Sequence, residues 1–183
     1  MMEKKLENDW EGMLFDIRRC VRYHSRRRAF YDRIDKLSNL LSLVLGSATI
    51  YGILAQAGNG LALCSAAVVT IFSSLNLVLA SSQQARVHYD LARRFGDLEM
   101  AMIQMVPSEK KLIELQKARL SIEKDEPPAL RVLDCICYNE QLRAMGFSSS
   151  KMLQIGLLQR LLSSFIDFRP DKITRAADQN HHN

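Results

Sequence analysis

Charge is what the middle of this chain lacks. From Leu37 to Ala85 there is no Asp, Glu, Lys or Arg, while the flanks hold all 25 basic and all 20 acidic residues. Proline is scarce too, with four in the chain and none before Pro107, so no obligatory helix breaker interrupts the chain up to that point. The four cysteines, Cys20, Cys64, Cys135 and Cys137, form no CxxC pair and have no His at zinc-finger spacing. That pattern argues against a metal finger or a disulfide framework and for reduced thiols. Cys135 and Cys137 lie about 200° apart on a helix and read as packing residues.

Catalytic patterns are equally thin. No nucleophile stands with a base, no metal-ligand set recurs, and the Gly46-x5-Gly52 spacing lacks the Lys-Ser/Thr of a phosphate-binding loop. His24 and His88 each sit beside a tyrosine and read as satisfied or exposed side chains. His181-His182 has too little context for a metal site. The expectation is a non-enzyme with no catalytic residue, cofactor or metal.

The overall mean hydropathy of −0.10 hides this segregation. Residues 37–57 and 61–82 are two apolar segments joined by Gln56-Ala57-Gly58-Asn59-Gly60. A helix rises about 1.5 Å per residue, so each covers the ~30 Å hydrocarbon core of a bilayer. Ten of the 25 Lys and Arg precede Leu37 and fifteen follow Ala85, which places both termini on the cytoplasmic side of a membrane.

Residues 1–36 carry apolar side chains at three-to-four spacing opposite Arg18, Arg19, Arg22, Arg26, Arg27, Arg28 and Arg33, the pattern of a basic amphipathic helix. This face reads first as a topology determinant and solvated surface, second as an attractor for anionic headgroups or a phosphate-bearing ligand. No aromatic-interleaved platform accompanies it, so nucleic acid is not an expected partner.

Within the hairpin, Gly46, Ala48 and Gly52 offer a small-residue surface on the first segment, and Ala62, Ala66, Thr70 and Ser74 recur every four residues on the second. Ser73 and Asn76 add polar groups. An amide in hydrocarbon needs a partner or water, which leaves two readings of Thr70, Ser73, Ser74 and Asn76: helix packing, or the lining of a pore built from several copies.

Beyond Ala85 the second segment is expected to continue as one long helix and pair with the first arm, with Asp90, Asp97 and Glu99 opposite its arginines. Pro107 ends it. Ser108-Glu109 starts a helix to about Glu126, Pro127-Pro128 breaks the chain, and a helix over about 129–145 stops at Gly146. A last apolar helix is expected over about 151–168. Lys151, Arg160 and Asp167 interrupt it, so it reads as a docking helix rather than a third span. Residues 86–170 thus form a helical cytoplasmic region and 171–183 a polar, mobile tail. Asn139 and Glu140, polar on an apolar helix, mark a candidate interface. The fold class is all-α: a two-helix transmembrane hairpin with long helical extensions.

The order of features resembles a family. Arg22-Tyr23-His24-Ser25-Arg26-Arg27-Arg28-Ala29-Phe30 leads into Asn39 to Gly52, a second segment ends in Leu77-Val78-Leu79-Ala80, and Ala85, His88, Leu91, Arg94-Phe95, Leu98 and Tyr138-Asn139-Glu140 follow. Over roughly 9–146 this is similar to the SLATT domain, a two-transmembrane effector of bacterial anti-phage defence. The resemblance implies a homo-oligomer in the inner membrane that permeabilises it on activation, causing cell death or growth arrest. It implies as partners the bilayer and a sensor protein or nucleotide second messenger. The alternatives are a non-conducting membrane-anchored scaffold for partner binding, a holin-like protein, and a soluble bundle with the hairpin as its core.

Overall fold

A computed structural model describes residues 2–54 and 59–175, and the chain is predominantly helical. Its helices are α1 (Met2–Leu54), α2 (Asn59–Leu79), α3 (Ser81–Ile103), α4 (Glu109–Glu123), α5 (Arg131–Ala144) and α6 (Leu157–Leu162), with two short strands, β1 (Leu153–Gln154) and β2 (Thr174–Arg175). The chain divides into two compact units. One holds the residues up to Arg26 and those from Tyr89 onward, the other Arg27–His88; α1 and α3 contribute to both.

In the first unit the arm of α1 supplies buried Trp10, Ile17 and Tyr23. Helix α3 supplies Leu91, Phe95, Leu98 and Met102, α4 Leu115 and Ile122, and α5 Val132, Leu133 and Cys137. In α3 and α4 the spacings of three, four and seven put each set on one stripe, and Tyr23 of α1 packs with Leu133 and Cys137 of α5. Ion pairs tie the same helices at their edges: Arg18 to Glu99 at 2.7 Å, Arg119 to Asp16 at 3.0 Å, Arg94 to Asp125 at 2.8 Å.

The helix ends follow local chemistry. Ser108 accepts the Lys111 amide and starts α4. Gly146, at φ 75°, closes α5: its amide donates to the Arg143 carbonyl and that of Phe147 to the Leu142 carbonyl, both at 3.0 Å, a Schellman arrangement that needs a left-handed residue. At the other end of α5 the Leu130 amide donates to the Tyr23 hydroxyl at 2.8 Å, and the Asp167 carboxylate accepts the Arg131 and Val132 amides at 2.9 and 3.0 Å. A carboxylate on exposed helix amides also matches the helix dipole.

Three expectations change. The helix expected over 151–168 is instead a 3-10 turn (Ser149–Lys151), β1 and the short α6. The Asn139 side chain competes for the backbone here, donating to the Leu153 carbonyl at 2.7 Å and accepting the Leu153 amide at 2.8 Å. Gln159 then ties the loop, accepting the Gly156 amide and donating to the Arg169 carbonyl, both at 2.8 Å. The expected mobile tail is ordered at its start, where Thr174 and Arg175 pair antiparallel with Gln154 and Leu153. The rest of it, with His181-His182, lies outside the described residues.

The third change is at Ala80. The expected continuous second helix is broken there, because Ala80 takes a φ of 45° between α2 and α3, a conformation that costs a non-glycine residue about 1 kcal/mol.

Burial pushes the thiols of Cys20 and Cys137 up to about 12, and raises that of Cys135 as well. The folded chain therefore keeps protons that unfolded thiols release near their ordinary value of 9.0, so stability falls as pH climbs from about 9 toward about 12. Cys137→Ala is expected to lower stability at neutral pH through its small cavity yet flatten this alkaline decline. Unfolding curves at stepped pH check it; a slope equal to that of the parent chain contradicts the assignment.

Candidate functional site

The second unit is a pair of antiparallel helical segments, the α1 residues from Arg27 onward and α2. From Thr49 back to Asp35 on α1 the partners run from Ser65 to Asn76 on α2: Thr49 with Ser65 at 2.7 Å, Ser42 with Ser73 at 3.2 Å, Ser38 with the Phe72 carbonyl at 3.3 Å, and Asp35 with Asn76 at 3.2 Å. On α1 these residues, with half-buried Leu45 and Gly46, recur at three and four, the seam of a two-helix contact. The connector residues 55–58 lie outside the described residues; Asn59 and Gly60, expected in the turn, already open α2.

This seam inverts the usual order of a water-soluble pair. Polar groups meet across the contact, with Ser38 and Ser65 buried, Asp35, Ser42, Thr49 and Asn76 half-buried and Ser73 exposed. Large apolar side chains face out: Leu43 is 70% exposed, Leu63 72%, Ile71 58% and Val78 82%, with Leu40, Val44, Ile50, Leu75 and Leu77 also exposed. Hydroxyls off the seam bond back to their own helix, Ser47 to the Leu43 carbonyl at 2.7 Å and Thr70 to the Ala66 carbonyl at 2.9 Å. Such bonds satisfy a hydroxyl without water.

One helical stretch among the described residues, Ala62–Ile103, which runs from α2 through the kink at Ala80 into α3, is long and apolar enough to cross a membrane. Its best window has a mean hydropathy of 2.0 and is 11% buried. Of the two spans expected, this is the second.

The small-residue sites divide. Gly46, Ala62 and Ala66 are half-buried along the seam, but Ala48 is exposed, as are Thr70 and Ser74. The reason is the helical period: each four-residue step turns about 400°, so three steps from Ala62 drift about 120° off the contact line. Thr70 and Ser74 thus leave the expected contact face, and Gly52 is described in its backbone alone. Asn76 and Ser73 take the packing role through Asp35 and Ser42. Asp35 was not anticipated; it is the last acidic residue before the charge-free stretch, which is the only sequence signal it carries.

The arginine face is less solvated than expected. In the first unit Arg18 pairs with Glu99 and Arg22 donates to Gln141 at 2.8 Å. Arg26 holds Glu140 with its Nε at 3.2 Å and with a terminal nitrogen. In the second unit Arg27 donates to the Tyr31 hydroxyl at 2.6 Å and lies over its ring, Arg28 sits 3.5 Å from Asp32, and Arg33 is exposed. Of the three acidic residues expected opposite the first arm, Glu99 meets an arginine, while Asp90 and Asp97 have no ion pair among the described residues.

Both histidines are buried. His24 stacks on Phe95 with its Nε2 3.3 Å from the Glu126 carboxylate, and His88 stacks on Tyr31. Among the described residues no group of His, Cys, Asp and Glu could hold a metal ion.

No family model, curated protein or solved structure matches this chain.

Proposed function

We propose that the hairpin lies in a membrane, that several copies assemble through it, and that the assembly permeabilises the bilayer on activation. The observation that carries the membrane part is the inverted hairpin, polar along its inner seam and apolar over its outer surface. In water such a surface invites aggregation; in lipid it is the favoured arrangement. The SLATT resemblance supplies the remainder: a bacterial inner-membrane effector of anti-phage defence, both termini cytoplasmic, triggered by a sensor protein or nucleotide signal.

The seam residues are engaged within the hairpin, so the path through such an assembly runs along the outward Thr70 and Ser74. Purified protein in dye-loaded vesicles tests this. Leakage is expected to drop severalfold with Thr70→Leu and Ser74→Leu together and to stay unchanged with Asn76→Leu. No leakage under any trigger, or loss with Asn76→Leu alone, overturns it.

A second reading is a non-conducting anchor for the helical unit. What favours it is that Asn76, Ser73 and Ser65 are bonded to α1, which leaves α2 few polar groups to line a lumen. An anchor binds membranes and leaves their potential intact on overexpression; an effector collapses it.

A further inference from the structure

The first unit contains an open cavity of about 300 Å³ walled by Arg26, Glu140, Arg143 and Arg160, with Ser163 and the apolar Ile155 among its lining. It is assembled from three places in the chain. Arg26 comes from α1, Glu140 and Arg143 from one face of α5 at three-residue spacing, and Arg160 and Ser163 from α6 and its C-terminal cap. Ser163 is buried and turns its hydroxyl to the Arg160 carbonyl at 2.7 Å, which fixes the turn that carries Arg160.

The charges in this cavity do not cancel. Glu140 is taken up by Arg26. Arg143 and Arg160 form neither an ion pair nor a side-chain hydrogen bond among the described residues. Arg18, Arg19, Arg94 and Arg119 of the same unit each meet a carboxylate. Two unmatched guanidiniums around one cavity, with a third held by a single carboxylate, form a receptor for a compact dianion. Guanidinium forks fit the tetrahedral oxygens of phosphate.

We propose that this cavity binds a phosphomonoester dianion, with Arg143 and Arg160 making the primary contacts and Glu140 holding Arg26 in reserve. The proposal rests on the first unit alone and does not depend on membrane permeation. The phosphate can belong to a soluble molecule or to a lipid headgroup. The exposed Leu157 and Leu161 that flank Arg160 on α6 would meet acyl chains in the second case.

The test is calorimetric titration of the full chain in uncharged detergent with two probes, inorganic phosphate and monomeric dihexanoyl phosphatidic acid. Arg143→Gln and Arg160→Gln should each weaken binding about tenfold, the usual loss for one charge-assisted contact. Glu140→Gln should strengthen it by releasing Arg26, a gain that a damaged fold cannot mimic. Arg143 and Arg160 are exposed and unpartnered among the described residues, so their variants are expected to keep the parent's thermal midpoint without ligand. Tighter binding of the phosphatidate assigns the site to lipid, and equal or weaker binding assigns it to soluble phosphate. The proposal is overturned if neither probe binds, or if Lys110→Gln with Lys117→Gln, far along the chain on α4, weakens binding as much as the pocket variants do.

Discussion

Ile71→Lys is expected to remove the chain from the carbonate-resistant membrane fraction. Ile71 is 58% exposed near the middle of α2. In lipid, exchanging isoleucine for lysine at a helix centre costs about 3–4 kcal/mol on the insertion scale, a shift of several hundredfold in partition. At an exposed position in water the same change stays within about 0.5 kcal/mol and improves solubility. The two environments therefore predict opposite results from one substitution. Ile113→Lys is the control, because Ile113 is comparably exposed, at 54%, on α4 and should leave the membrane fraction as it was. Retention of the Ile71→Lys chain in the membrane would show that Ile71 does not face lipid, and absence of the parent chain from that fraction would remove the bilayer from the account of the hairpin.

Phe95→Ala is expected to cost the first unit about 3–5 kcal/mol, the range for deleting a fully buried aromatic ring. Phe95 is wholly buried and stacks on His24 with ring centroids 5.7 Å apart. Its loss opens a cavity and removes the surface that holds the imidazole beside Glu126. Chemical denaturation followed by circular dichroism reads the change. Phe165→Ala, at 64% exposure, should move the midpoint little. If the two variants are equally destabilised, the core does not centre on Phe95.

The parts of this architecture that depend on neighbours in sequence were legible. Ser108 and Gly146 bound their helices as short-range capping chemistry dictates, and the charge-free stretch marked the hairpin. Contacts made across the chain were not. Glu99 was expected opposite the first arm and meets Arg18, but the rest of the arginine stripe looked solvated because Glu140 and Gln141 lie 114 and 119 residues from the Arg26 and Arg22 they meet. The segment after Gly146 has the apolar density of a helix, and nothing local reveals that an asparagine amide on α5 takes the Leu153 backbone from it. The drift of Thr70 and Ser74 away from Ala62 was within reach, since it follows from the difference between a spacing of four and a period of 3.6.

Asp167 was read from sequence as a charge that disqualifies a third span, and it closes the N-terminus of α5. Its carboxylate stands 36 residues downstream of the first amide it accepts. A ribosome adding about 5–20 residues per second therefore leaves the start of α5 without that partner for a few seconds after the helix is made. Over that interval the amides of Arg131 and Val132 are open to water or to a chaperone, so this corner of the first unit is completed late in synthesis, and a chain halted before Asp167 would carry α5 with a frayed beginning.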